Sequence, residues 1–280
     1  MNMELSLGFS PCPNDTYIFE ALINGKIKSK LSFTETLADV QQLNKMAFEN
    51  QLDLTKISFA AYPEASSNYQ ILNVGSALGR NCGPLLIAKK DIDFEDFKTR
   101  TNARIAIPGQ ATTANLLLNI ALPYHQNKLD LVFSDIEQAV IDGYVDCGLI
   151  IHESRFTYRS KGLIKVIDLG EFWESEYQLP IPLGCIAIKR SLPDEVKIEA
   201  NQMIAQSLKK TNENPDLAMD YIRAHAQEMD EKVMLQHIHL YVNQFTLNLG
   251  DEGRNAIRFL FEKGQELGFL TAPQEPIFVD

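Results

Sequence analysis

Four short segments concentrate side chains that could do chemistry. The first is Ser10–Thr16, SPCPNDT, wedged between a strand-like and a helix-like apolar run. Asn14 or Asp15 can cap the following helix, and the two prolines stiffen the approach. A rigid helix-leading loop explains everything here except the density of polar groups, Asn14, Asp15 and Thr16 among them. Cys12 is a potential nucleophile, but no histidine lies near it in sequence, and it reads as structural. The second segment is Thr55–Ala65, TKISFAAYPEA. Alternation at the end of a strand-like run sends Lys56 and Ser58 to one face and Ile57 to the other. A lysine beside a cleft can bind a carboxylate; a lone lysine is otherwise a solvated one.

The third segment is Ile107–Leu118, IPGQATTANLLL, where a strand ends at Pro108-Gly109 and Thr112 and Thr113 open a helix. Free backbone N–H groups beside two hydroxyls suit an anion such as a carboxylate; an ordinary threonine cap is the plainer reading. The fourth is Cys147–Tyr158, CGLIIHESRFTY, in which His152 directly follows an all-apolar strand. A histidine at a strand's carboxyl end can act as a general base, with an ordinary pKa of about 6.5; a satisfied interior histidine is the alternative. His237 and His239 stand two apart on a helical pattern, so they face different ways and make a poor metal pair. None of His125, His225, His237 and His239 ends a strand-like run, and all four are expected to be dispensable for chemistry. No GxGxxG, P-loop, HExxH or GxSxG motif occurs, so neither an organic cofactor nor a metal is indicated.

The elements that must position these segments alternate. Strand-like runs cover Glu4–Phe9, Leu31–Leu37, Leu54–Phe59, Tyr69–Gly75 and Leu85–Lys89. Helical patterns cover Thr16–Ile23 and Val40–Glu49, the second capped by Asp39. A further α/β stretch has strands at Arg104–Ile107, Leu129–Ser134, Cys147–Ile151 and Lys165–Leu169, with helices at Thr113–Ala121 and Asp135–Gly143. Such alternation predicts parallel sheets covered by helices, with ligands beyond the carboxyl ends of the strands. After Ser191 nearly everything to Leu270 is helical in pattern, broken at Pro215, near Met229–Asp230 and near Leu249–Gly250. GPLLIAKK (Gly83–Lys90) and PLGCIAIKR (Pro182–Arg190) resemble each other and bracket the second α/β stretch. They are expected side by side, as two crossovers acting as a hinge between lobes; one continuous sheet with two similar strands fits equally well.

The 280 residues fit one or two domains, and 45% hydrophobic with 22% charged residues is ordinary globular composition. A net charge of -11, from 26 basic against 37 acidic side chains, opposes nucleic-acid binding but leaves room for a local anion site. The N-terminus MNMELSLGFS has no signal-peptide character, and no apolar run approaches the roughly 18 residues that span a bilayer, so a cytoplasmic chain without membrane contact is expected. Cys12, Cys82, Cys147 and Cys185 form no CxxC pair and read as free thiols.

Several long motifs recur in one order: LGFSPCPNDTYIF, LTKISFAAY, ALGRNCGPLL, GLIIHESRFTY, LPIPLG and RAHAQEM, with YVNQFTLNLG beyond them. Through them the chain resembles the 1,4-dihydroxy-6-naphthoate synthases of the futalosine route to menaquinone. The resemblance implies a bilobed, periplasmic-binding-protein-like type II fold of two α/β lobes. One lobe would comprise residues 1–90 plus 185–280 and the other 91–184. It also implies a carbon–carbon lyase that acts on cyclic dehypoxanthine futalosine without a cofactor. The family's proton acceptor falls on His152, its Lys-x-Ser substrate segment on Lys56, Ile57 and Ser58, and its Thr-Thr pair on Thr112 and Thr113. Asn14, Asp15 and Thr16 would face the same cleft. A non-catalytic solute-binding or sensor protein of the same fold is the competing expectation.

Overall fold

Eleven strands divide between two sheets in the computed structural model, which describes residues 3–226 and 230–279. The first sheet has the order β2-β1-β3-β11-β4, with β5 also paired to β11. Its strands are β1 (Met3–Phe9), β2 (Leu31–Leu37), β3 (Leu54–Ser58), β4 (Tyr69–Ile71), β5 (Ala77–Gly79) and β11 (Ile181–Lys189). The second sheet has the order β10-β6-β9-β7-β8. It is built from β6 (Leu85–Ala88), β7 (Ile105–Ile107), β8 (Lys128–Asp130), β9 (Cys147–Ile150) and β10 (Ile164–Asp168). Neither sheet is purely parallel. β1 runs parallel to β2 and β3, and β7 to β8 and β9, whereas β11 runs antiparallel to β3, β4 and β5, and β6 to β9 and β10.

The antiparallel strands correct the expectation for the two look-alike segments. β6 lies in the second sheet and β11 in the first, so these two strands do not pair. Residues 85–88 form β6 of the second sheet, and residues 181–184 open β11 of the first. Sheet membership depends on which distant strand supplies the hydrogen bonds, and local likeness between two apolar strands carries no such information. The chain crosses out through residues 80–84 and returns through 178–180. The outward crossover is held tightly. A Cβ on Gly83 would come within 2.1 Å of the Gly170 backbone nitrogen, so the two backbones touch. Arg155 donates to the Gly83 and Asn81 carbonyls and to the Asp168 carboxylate, tying this crossover to the segment that carries His152.

Local chemistry accounts for the elements that reach the site. Asp39 accepts from the amides of Gln41 and Gln42, and so starts the helix Val40–Phe48 where expected. The helix Pro13–Ile23 begins earlier than predicted. Its N-cap is Cys12, without a side-chain cap, and Pro13 stands where a missing N–H costs nothing. Asn14, Asp15 and Thr16 therefore occupy the first turn instead of capping it, which frees their side chains for other work. The helices Asp194–Glu213, Asp216–His225, Glu231–Tyr241 and Gly250–Glu266 fill the C-terminal part, with the predicted breaks at Pro215 and near Gly250. Met229, in the third predicted break, lies outside the described residues. The helix Leu169–Tyr177 was not foreseen.

One apolar cluster spans both sheets, joining Ile57, Tyr62 and Tyr69 to Leu86, Leu117, Leu149 and Trp173, and to Phe261 of the last long helix. The two units thus share packed surface, and they meet over the ends of β1, β3, β7 and β9.

Candidate active site

All four chemically particular segments converge on one cavity. Ser10, Asn14, Asp15, Lys56, Ile57, Ser58, Thr112, Thr113 and His152 line it, together with His237 and Tyr241. Thr16 does not line it; its hydroxyl donates back to the carbonyls of Cys12 and Pro13.

The polar density of Ser10–Thr16 has a specific purpose: it builds a clamp for a buried lysine. Asp15 Oδ1 accepts from Lys56 Nζ at 2.8 Å and from Asn14 Nδ2 at 2.9 Å. Its Oδ2 accepts from Ser10 Oγ at 2.8 Å and from the Ser10 amide at 3.3 Å. Lys56 Nζ also donates to the Gly75 carbonyl at 2.8 Å. Both charges are buried, Lys56 at 5% and Asp15 at 2% exposure, so each needs the other. Among the described residues two of the ammonium's three N–H groups are used, which leaves the third for an occupant of the cavity. Two residues on, Ser58 receives a hydrogen bond on its hydroxyl from Asn44 Nδ2 (3.2 Å), while its amide donates to Asn44 Oδ1 (2.9 Å). Among the described residues its own hydroxyl proton has no acceptor.

The hydroxyls of the threonine pair are engaged within the protein. Thr112 is the N-cap of the helix Thr113–Ala121, accepting from the Asn115 amide at 3.2 Å and donating to the Gly109 carbonyl at 2.7 Å. Thr113 Oγ1 donates to the Leu183 carbonyl of β11 at 2.7 Å and accepts from the Ala60 amide at 3.1 Å. With Asn44 Nδ2 on the Ala111 carbonyl, these bonds clasp one unit to the other. What the helix start still offers a ligand is backbone: the Thr113 and Ala114 amides have no acceptor among the described residues.

These contacts set what replacing either threonine should do. Thr113→Val removes two hydrogen bonds, each worth about 0.5–1.5 kcal/mol, and Thr112→Val removes a cap worth about 0.5–2 kcal/mol. A fall in Tm of several degrees, on the order of 2–4 °C per kcal/mol for a chain of this size, is expected from thermal melts of either variant, together with a raised KM. An unchanged Tm in both variants would mean that the clasp carries no stability.

His152 stands just past β9 in a left-handed conformation, φ 57, which costs a residue with a Cβ free energy and is common at functional sites. Its ring meets Phe133 edge-on at 5.1 Å. Burial pushes its pKa down to about 4; Asp15 opposes the shift, Lys56 adds to it, and Asp39 opposes it. The imidazole is therefore neutral at pH 7, as a base must be, because desolvation disfavours its charged form. Turnover should accordingly stay level from about pH 8 down to about pH 5, with no inflection near the reference value. Stability has its own dependence. A histidine with a depressed folded pKa contributes stability that is fully present above about 6.5 and is lost as pH falls toward about 4. A pH profile of kcat/KM and of Tm separates the two, and an activity limb at about 6.5 would refute the neutral-base geometry.

Two further residues stand beside His152. Cys12 Sγ, a His152 ring nitrogen and a Glu153 carboxylate oxygen lie within 4.8 Å of one another. Burial, then the charge of Glu153, pushes the Cys12 thiol well above its ordinary pKa, so it is a protonated thiol rather than a nucleophile. His237, expected to be dispensable, lines the cavity with its ring centroid 6.1 Å from that of His152. His237 and Tyr241 are one helical turn apart and pack at 4.6 Å. His239 is exposed on another face of the same helix, as the spacing requires. His125 is buried elsewhere, with Nε2 3.1 Å from the Phe97 carbonyl.

The sequence profile of a family described as Menaquinone biosynthesis matches residues 5–266. A 1,4-dihydroxy-6-naphthoate synthase of Thermus thermophilus is 41% identical over 277 residues, which are 98% of this chain and 99% of that one. Another, from Streptomyces coelicolor, is 40% identical over 273 residues, covering 96% and 95%. Among solved structures, a protein of Archaeoglobus fulgidus superposes with a TM-score of 0.90 at 34% identity, covering 95% of this chain and 98% of that one. The alkanesulfonate-binding protein of Xanthomonas axonopodis, solved with MOPS, gives a TM-score of 0.75 at 13% identity, covering 98% and 97%. That likeness shows the fold: the two sheets are those of a periplasmic-binding-protein-like molecule.

Proposed function

We infer the activity from one premise: this chain belongs to the menaquinone-biosynthesis family. It is a 1,4-dihydroxy-6-naphthoate synthase, a carbon–carbon lyase acting on cyclic dehypoxanthine futalosine. The observation that carries this reading is the identity of 41% with a synthase over nearly the whole of both chains. The cavity supports it, because it joins a neutral imidazole to a buried cation and an open helix start. In this reading the substrate's carboxylate lies against the free amides of Thr113 and Ala114, with the Ser58 hydroxyl and the Lys56 ammonium near it. His152 removes a proton from a hydroxyl of the ribose-derived fragment, that oxygen's electrons form a carbonyl on the departing fragment, and the pair of the broken carbon–carbon bond moves into the bicycle. Aromatisation of the ring system drives the step. The shared apolar surface between the two units keeps water away from the base while the substrate is held in place.

Incubating purified protein with cyclic dehypoxanthine futalosine and following 1,4-dihydroxy-6-naphthoate by chromatography and mass spectrometry tests this. Multiple turnovers are expected. Stoichiometric binding of the substrate without product would replace the synthase by a solute-binding protein of the same fold.

A further inference from the structure

We propose that His237 is a second residue in contact with the substrate, donating a hydrogen bond from its imidazole to the ring oxygen that gathers negative charge as the bicycle becomes aromatic. The proposal rests on the synthase reading above. His237 is 1% exposed, and among the described residues neither of its ring nitrogens has a hydrogen-bond partner. A buried polar group without a partner destabilises a fold, so a chain that keeps one at the wall of its cavity retains it for what enters there. Tyr241 at 4.6 Å and Phe156 at 6.4 Å hold the ring from its sides without engaging its nitrogens.

Burial first, then the neighbouring His152, drive its pKa well below the ordinary value, so it is a neutral imidazole with one N–H to give. With ring centroids 6.1 Å apart, the two histidines can reach different atoms of one bicyclic substrate. One ring takes the proton, and the other faces an oxygen that gains charge in the same step. A fixed donor at such an oxygen, in a site closed to water, is worth far more than in solution. His237 itself gains and loses no proton, and the proton that His152 removes returns to the charged ring oxygen as the dihydroxy product forms, which leaves His152 neutral for the next turnover.

The test uses His237→Leu and His237→Gln in the full chain, with kcat and KM for cyclic dehypoxanthine futalosine and Tm measured for each. His237→Leu should lose about 10²-fold in kcat, the scale of one deleted oxyanion donor, with a much smaller change in KM. Its Tm should hold or rise, because an unpartnered polar group has been replaced by an apolar one. His237→Gln, which keeps an N–H donor, should recover part of the rate, and it serves as the test if the leucine variant fails to fold. A folded variant with kcat within about threefold of wild type overturns the proposal, as does a fall in Tm with the rate kept. If the wild type forms no naphthoate, the synthase reading fails by itself. Anaerobic binding of 1,4-dihydroxy-6-naphthoate, followed by its fluorescence, then decides the role of His237. A loss of affinity of about tenfold in His237→Leu supports the contact, and equal affinity overturns it.

Discussion

His152→Asn is expected to lower kcat by about 10²–10⁴-fold while substrate still binds. The asparagine side chain is polar and of similar size, but it accepts no proton at neutral pH. The loss should fall on kcat because the base acts when the proton moves, whereas the groups proposed to hold the carboxylate are untouched: Lys56 in its clamp, Ser58 on Asn44, and the amides at the start of Thr113–Ala121. Asn also tolerates a left-handed backbone better than most residues, so φ 57 at this position is not a reason for the variant to misfold. Its Tm should hold, and its stability in mild acid should improve, because a histidine with a pKa near 4 loses stability as pH falls and Asn does not titrate. Steady-state turnover beside a melt at two pH values checks each part. A folded variant with near wild-type kcat would remove His152 from the chemistry and direct attention to His237.

The residue types of the site were legible in the sequence, and their relations were not. Lys56, Ser58, Thr112 and His152 declare themselves because each stands at the end of an apolar run, and strand ends are local features. What each side chain does there depends on partners far along the chain. Asp15 reads as a helix cap beside Pro13, but its carboxylate is spent on Lys56, 41 residues away. Thr113 reads as an anion ligand, yet its hydroxyl spans to Leu183, 70 residues on. β6 and β11 look alike and take different sheets for the same reason. His237 was discounted because it sits inside a helix rather than at a strand end. Only the packing of the helix Glu231–Tyr241 over β5 and the His152 turn turns it into the cavity. The left-handed φ of His152 has no local signal, since glycine is absent from Ile151-His152-Glu153.

Breaking the Lys56–Asp15 pair should have the largest effect on stability. Lys56→Met leaves the Asp15 carboxylate buried at 2% exposure with only Ser10 and Asn14 to hold it, and a buried charge stripped of its partner typically costs about 3–5 kcal/mol. Asp15→Asn is expected to be nearly as damaging, because it leaves the ammonium with the Gly75 carbonyl alone among the bonds it now makes. The double variant Lys56→Met/Asp15→Asn removes both charges. It should recover much of the loss, since two uncharged groups of similar size need no mutual compensation. Urea unfolding of the four proteins closes the cycle, and a coupling smaller than about 1 kcal/mol would mean that the pair is not the structural unit described. The same four proteins separate fold from function. The double variant should be folded and still poor at turnover, because the N–H that Lys56 reserves for the cavity has gone. If it were stable and fully active, the lysine would be a strut for the loop Ser10–Cys12 and no part of substrate binding.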